Sequence, residues 1–143
     1  MSSGIPTSEL MKRTYSEDEI ECLYELGRFS LENGELRRAE TIFVGLTEVA
    51  PDFASAWLGL VYVFNSRQDW DGAIAAARQA LRIDPQSLPA LLMLTSALLN
   101  AGDVTTAGSY LGEIQDRLEE GETIPATHIR IFKALLARHS SRG

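Results

Sequence analysis

Pro51-Asp52-Phe53-Ala54-Ser55-Ala56-Trp57-Leu58-Gly59-Leu60 opens the stretch whose reading decides the fold, and that stretch runs on through Ala73 and Ala80 to Asp84-Pro85. Two amphipathic patterns lie inside it, separated by Arg67-Gln68-Asp69. In the first, Trp57, Leu60, Val61 and Phe64 stand at i, i+3, i+4 and i+7, which places them on one helical face. In the second, Ala73, Ile74, Ala77, Ala80 and Leu81 show the same spacing. The prolines mark the ends. A proline ring clashes with the preceding residue in the α region, so Ala50 and Asp84 are natural stopping points.

The unit recurs. Pro51 and Pro85 stand 34 positions apart, as do Ala39, Ala73 and Ala107 in succession. The same interval joins Leu23, Trp57 and Leu91, and then Leu26, Leu60 and Leu94. It joins Phe43, Ala77 and Leu111, and finally Leu46, Ala80 and Ile114. A helix–turn–helix period of 34 is that of the tetratricopeptide repeat. Trp57, Leu60, Phe64, Ala73, Ala80 and Pro85 resemble that family's pattern in the middle repeat. Leu23, Leu26, Gly27, Ala39, Phe43 and Pro51 resemble it in the first. Leu91, Leu94, Ala107 and Leu111 fit in the third, where Glu119 replaces the closing proline.

The resemblance implies an all-α fold of three repeats in a right-handed superhelix plus a C-terminal capping helix. The expected organisation is a flexible N-terminal arm over 1–15 and a single domain over 16–139, followed by a frayed tail over 140–143. Within the domain the repeats fall at about 20–53, 54–87 and 88–121, and the capping helix at about 125–139. Packing explains the small residues at Ala39, Ala73 and Ala107. They lie where the second helix of each pair crosses the first, and a larger side chain would force the axes apart. Ala76, one helical face away from Ala73, is expected to lie off that crossing.

End signals accompany most of these helices. Ser16 with Glu19 three residues on is a capping-box pattern before a first helix over about 17–32. The acidic run Glu17-Asp18-Glu19 suits the positive end of a helix dipole. A short helical turn is expected earlier, around Glu9 to Lys12. Asn33-Gly34 tolerates positive φ and supplies the turn to a second helix. Asp52, Asp69, Ser87 and Asp103 are candidate N-caps for the next four. Pro89 suits the first turn of the fifth. Pro125 opens a seventh helix with Ile129, Phe132, Leu135 and Leu136 on its apolar face, which would cover the last open face of a stacked array.

Composition narrows the function. The 143 residues carry a formal net charge of −7, and Lys12 and Lys133 are the only lysines. Nucleic-acid binders present a basic patch, so neither nucleic acid nor an anionic membrane surface is expected as a partner. No apolar run approaches the roughly 20 residues that span a bilayer. Cys22 is the only cysteine, which favours the cytoplasm. Its acidic neighbours Glu19, Glu21 and Glu25 argue against a reactive thiolate. His128 and His139 stand alone, so no metal site is expected. No phosphate loop, zinc-protease motif or nucleophile elbow occurs, and neither catalytic residues nor a cofactor are expected.

In the tetratricopeptide family the first helices of the pairs line a concave groove that holds an extended peptide or a helix of a partner protein. The resemblance places Glu21, Tyr24, Arg28 and Leu31 there from the first repeat. It adds Leu58, Tyr62, Asn65 and Ser66 from the second, and Leu92, Ser96, Leu99 and Asn100 from the third. Tyr24, Leu58, Tyr62 and Leu92 would form an apolar stripe, which is the composition of a recognition surface. A terminal segment or a second copy, giving a homodimer, is the competing occupant. Family members that clamp acidic C-terminal tails use basic residues where Pro89 and Met93 stand, so that use is not expected here.

The layout is also similar to that of the small acidic chaperones of bacterial type III secretion systems. Leu23-Tyr24-Glu25-Leu26-Gly27, Phe43 and Trp57-Leu58-Gly59-Leu60 carry this likeness. It implies a cytoplasmic chaperone that holds an apolar segment of a secretion client. The alternative is a general adaptor joining other proteins.

Overall fold

The computed structural model describes residues 15–142, so the expected turn at Glu9 to Lys12 lies outside the described residues. Seven helices and no strand occur among them. They are α1 (Glu17–Glu32), α2 (Leu36–Val49), α3 (Ala54–Ser66), α4 (Trp70–Ile83), α5 (Leu88–Ala101), α6 (Val104–Glu119) and α7 (Ala126–Arg142). Helices α1/α2, α3/α4 and α5/α6 form successive packed pairs. Each pair's second helix also packs against the next pair's first, and the first helices touch in turn, α1 on α3 and α3 on α5. Stacking of this kind makes the stability of each pair depend on its neighbours.

The caps follow local chemistry. The Ser16 hydroxyl accepts from the Glu19 amide, and the Glu19 carboxylate accepts from the Ser16 amide, both at 3.1 Å. Asp69, Ser87 and Asp103 accept from the amides of Gly72, Ala90 and Thr106. These bonds satisfy amides that the helix itself leaves unpaired. Helix α3 departs from expectation. Its N-cap is Phe53, not Asp52, and the Phe53 side chain makes no capping hydrogen bond. Gly34 and Gly102 close the turns after α1 and α5 at φ of 76° and 90°, a region that a Cβ makes costly.

Ala39, Ala73 and Ala107 are all fully buried at their helix crossings. Ala76 is buried too, at 3% exposure, contrary to the expectation from helical phase. Helix α4 packs against both α3 and α5, so its apolar arc is wider than one crossing requires. A further departure is Leu26, which is 47% exposed although Leu60 and Leu94 at the equivalent positions are buried. At the other end α7 packs on α5 and α6 and buries Phe132 and Leu135, as expected of a cap. Gly108 of α6 permits this approach, since a Cβ there would lie 2.8 Å from the His139 imidazole. Helix α7 continues through Ser140 and Ser141 to Arg142, past the expected end at His139.

Candidate functional site

A groove of about 510 Å³ runs along the first helices of the three pairs. Helix α1 contributes Tyr24, Arg28, Leu31 and Glu32, and α3 contributes Leu58, Gly59, Tyr62 and Ser66. Leu36 and Phe43 of α2 reach it from behind, and Pro89 and Met93 of α5 close it. Helical spacing produces the rows. Tyr24, Arg28 and Leu31 are at i, i+4 and i+7; Leu58, Tyr62 and Ser66 follow at four-residue steps, and so do Pro89 and Met93.

The floor is rigid. The fully buried ring of Phe43 lies against the backbones of Gly27 and Gly59, where a Cβ would come within 2.6 and 2.7 Å of it. Tyr24 packs on that ring at a centroid distance of 6.0 Å and meets Phe53 edge to face at 5.5 Å. Such pairs add about 0.5–1.5 kcal/mol beyond the area they bury. Burial pushes the Tyr24 hydroxyl above the usual tyrosine pKa. Arg28 opposes that shift, and Glu25, Glu21 and Tyr62 add to it.

Charge in the groove is largely spent within α1. The Arg28 guanidinium reaches Glu25 at 3.3 Å and Glu32 at 3.5 Å. Both pairs are exposed, and pairs of this kind contribute about 0.2–1 kcal/mol at most. The walls are therefore mainly apolar and aromatic. Tyr62 projects into the opening and is 58% exposed.

The structure brings together Tyr24, Arg28, Leu31, Leu58 and Tyr62 of the expected site, with Ser66 beside them. It does not bring in the rest. Leu92 is 3% exposed and Leu99 is fully buried, so neither is available to a partner. Both belong to the same core as Phe132 and Leu135 of α7, which packs against α5. Arg138 of α7 also donates to the Asn100 side chain at 2.6 Å. The capping helix has claimed the face of α5 that the equivalent residues of α1 and α3 leave open. Ser96 and Asn65 are half-buried and off the groove lining, and the Asn65 Oδ1 is buried without a hydrogen-bond partner. Glu32, Leu36, Phe43 and Gly59 are lining residues that sequence reasoning did not single out. Phe43 was legible only as a core position. The i+4 step from Arg28 to Glu32 was the available signal for Glu32.

Paired helices stacked in register, with an apolar groove along their first members, define a helical-repeat protein whose fold is a protein-interaction module. Two tetratricopeptide repeat family models match the chain, over residues 24–87 and 65–120. The chain belongs to the tetratricopeptide repeat family. It is 32% identical over 114 residues to the peroxisomal targeting signal receptor of Kluyveromyces lactis, matching 76% of this chain. That match spans only 20% of the receptor's length. Among solved structures, the chain resembles the Yersinia enterocolitica type III secretion chaperone SycD in complex with a peptide of the translocator YopD. The TM-score is 0.76 at 21% identity, covering 90% of this chain and 98% of that one. The TPR2B domain of yeast Sti1 in a pHsp70 complex is similar at a TM-score of 0.77 and 17% identity, covering 87% and 98%. At these identities the structural likenesses speak to the fold, an all-α tetratricopeptide superhelix.

Proposed function

We propose that the groove between Tyr24 and Met93 holds an apolar segment of a partner protein, in extended or helical form. We further propose that the chain is a chaperone of the type III secretion kind, keeping a secretion client soluble until export. The observation that carries the reading is the convergence of Tyr24, Leu58, Tyr62 and Met93 on one open groove, with its one cation already paired. Apolar surface left open in this way costs free energy in water, and its usual explanation is an interaction site. Pro89 and Met93 offer no positive charge to a carboxylate tail, so an apolar client fits better than an acidic one. The likeness to a chaperone crystallised with a translocator peptide supports the narrower reading. The competing reading, a general adaptor between folded proteins, rests on the same family membership.

Photo-crosslinking separates them. A benzophenone residue replaces Tyr62 in one variant and Arg78, an exposed residue of α4, in another. The expected result, in extracts of cells with an active secretion system, is capture of an apolar segment of a secreted protein from Tyr62 alone. Capture of a large, stably folded enzyme or receptor from Tyr62 would favour the adaptor. Equal capture from both positions would remove the groove as the site.

A further inference from the structure

The two ends of the array carry opposite charge. Among the described helices, α1 touches only α2 and α3, and α7 touches only α5 and α6, so each leaves a face without a described neighbour. On α1 that face is apolar along its centre. Tyr15, Cys22, Leu26 and Phe29 share it, with Leu26 at 47% and Phe29 at 59% exposure. Thirty-four residues on from Cys22, Leu26 and Phe29 stand Ala56, Leu60 and Val63, and a further 34 on stand Ala90, Leu94 and Ala97. All six are buried, in helices that pack against the second helix of the preceding pair. The α1 face is thus of the kind that receives a helix. Asp18, Glu25 and Glu32 flank it on one side at seven-residue steps, and Glu19 stands on the other. Arg28, which pairs with Glu25 and Glu32, is the only cation of α1. At about 100° per residue, this face lies about half a turn from the Tyr24–Arg28–Leu31 row of the groove. Helix α7 is the converse. It carries Arg130, Lys133 and Arg138 and no acidic residue. Its outer arc exposes Thr127, Arg130, Ile131, Ala134 and Ala137, with Ile131 at 46% exposure. The short side chains of Ala134 and Ala137 leave room for another helix to approach closely.

We propose that a second copy of the chain lays its α7 along the open face of α1, joining copies head to tail, with Ile131 against Leu26 and Phe29 and with Arg130 beside the acidic rim. Charge selects this arrangement. Two copies meeting α1 on α1 would bring Asp18, Glu19 and Glu25 against their like, and α7 on α7 would do the same with Arg130 and Lys133. Of these three contacts, α7 on α1 alone sets opposite charges across the interface, and like charges opposed there cost binding energy. The apolar surface agrees. Tyr15, Leu26, Phe29 and Ile131, four of the seven exposed large hydrophobic residues among those described, lie on these two helices. One chain cannot make the contact with itself, because α1 and α7 stand at opposite ends of the stacked pairs. The contact uses a different face on each copy, so every added copy leaves one face of each kind free for the next.

Sedimentation velocity on the full chain tests this. The average mass of the unaltered chain is expected to rise with concentration past that of a dimer, and to fall back as added salt screens the charges. Leu26→Glu and Ile131→Glu each place a charge in the apolar centre of the contact, so each is expected to weaken self-association at least about tenfold. Mixed in equal amounts, the two variants should form a heterodimer and stop there. The first supplies an intact α7 and the second an intact α1, while the two remaining faces both carry the new glutamate. Tyr62→Ala, in the groove, should associate as the unaltered chain does. Leu26 and Ile131 are exposed, and far-ultraviolet circular dichroism checks that both variants fold. Phe29→Glu or Ala134→Glu takes the place of one that does not. A mass that levels off at the dimer and is lost in Leu26→Glu alone would assign α1 to a symmetric dimer and overturn the proposal. A monomer at every concentration, or two variants that fail to pair when mixed, would overturn it as well.

Discussion

The Phe43 ring occupies the space that a side chain on Gly59 would take, with ring carbons 2.7 Å from an ideal Cβ at that position. The same ring stands 2.6 Å from where a Cβ of Gly27 would be, so it is held between two helices and has no free side to move to. The relationship lets α1 and α3 close on α2 and sets the floor of the groove.

Gly59→Ala is therefore expected to lower stability by roughly 1 kcal/mol or more. Overpacking costs about 1–3 kcal/mol, and the gain in helix propensity returns at most about 1. Gly45→Ala, in α2 with no atom within 4 Å of the new Cβ, is the control. It should stabilise by about 0.5–1 kcal/mol. Urea unfolding of the two variants checks this, and destabilisation by Gly45→Ala alone would contradict the geometry.

Ala73→Leu should destabilise by about 1–3 kcal/mol, because Ala73 is fully buried at the crossing of α4 on α3. Since Ala76 is buried as well, the informative comparison is the exposed Ala75. Ala75→Leu should change the unfolding midpoint little. Equal losses in both variants would mean that the helix phase of α4 is wrong.

Tyr62→Ala is expected to weaken binding of a captured client segment at least about tenfold, equivalent to ~1.4 kcal/mol. Its helical circular dichroism should stay unchanged, because Tyr62 is exposed. Arg78→Ala, on another face, should leave affinity alone. Leu99→Ala should instead unfold more easily, by about 2–5 kcal/mol, since Leu99 is core. Titration calorimetry with the client peptide and thermal unfolding together read all three. Loss of affinity in Arg78→Ala but not in Tyr62→Ala would move the site to the outer surface.

Tyr24 makes a pH-dependent contribution. Burial raises its pKa in the folded state, so folding favours the protonated hydroxyl. That contribution is complete below the unfolded value, near pH 10, and is lost as pH rises through the higher folded value. The unaltered chain should lose urea resistance more steeply than Tyr24→Phe as pH rises above about 10. Parallel curves would show that Tyr24 ionises as freely in the folded chain as in the unfolded one.

The recurrence at 34 residues determined the helix pairs, their order and most of their ends by itself. Those features depend on local chemistry, in which a periodic apolar face, a hydroxyl or carboxylate at a cap and a proline act within a few residues. The first two pairs' share of the groove was legible too, because Tyr24, Arg28, Leu31, Leu58 and Tyr62 follow the helical step. Tertiary structure decided the rest. Carrying the register into α5 assigned Leu92 and Leu99 to the groove, yet α7 packs on α5 and those side chains are core. Repeat position states where a residue points on its own helix, whereas burial depends on which helix arrives opposite. The same reason exposes Leu26 while Leu60 and Leu94 are buried, buries Ala76, and makes the core residue Phe43 also the floor of a groove.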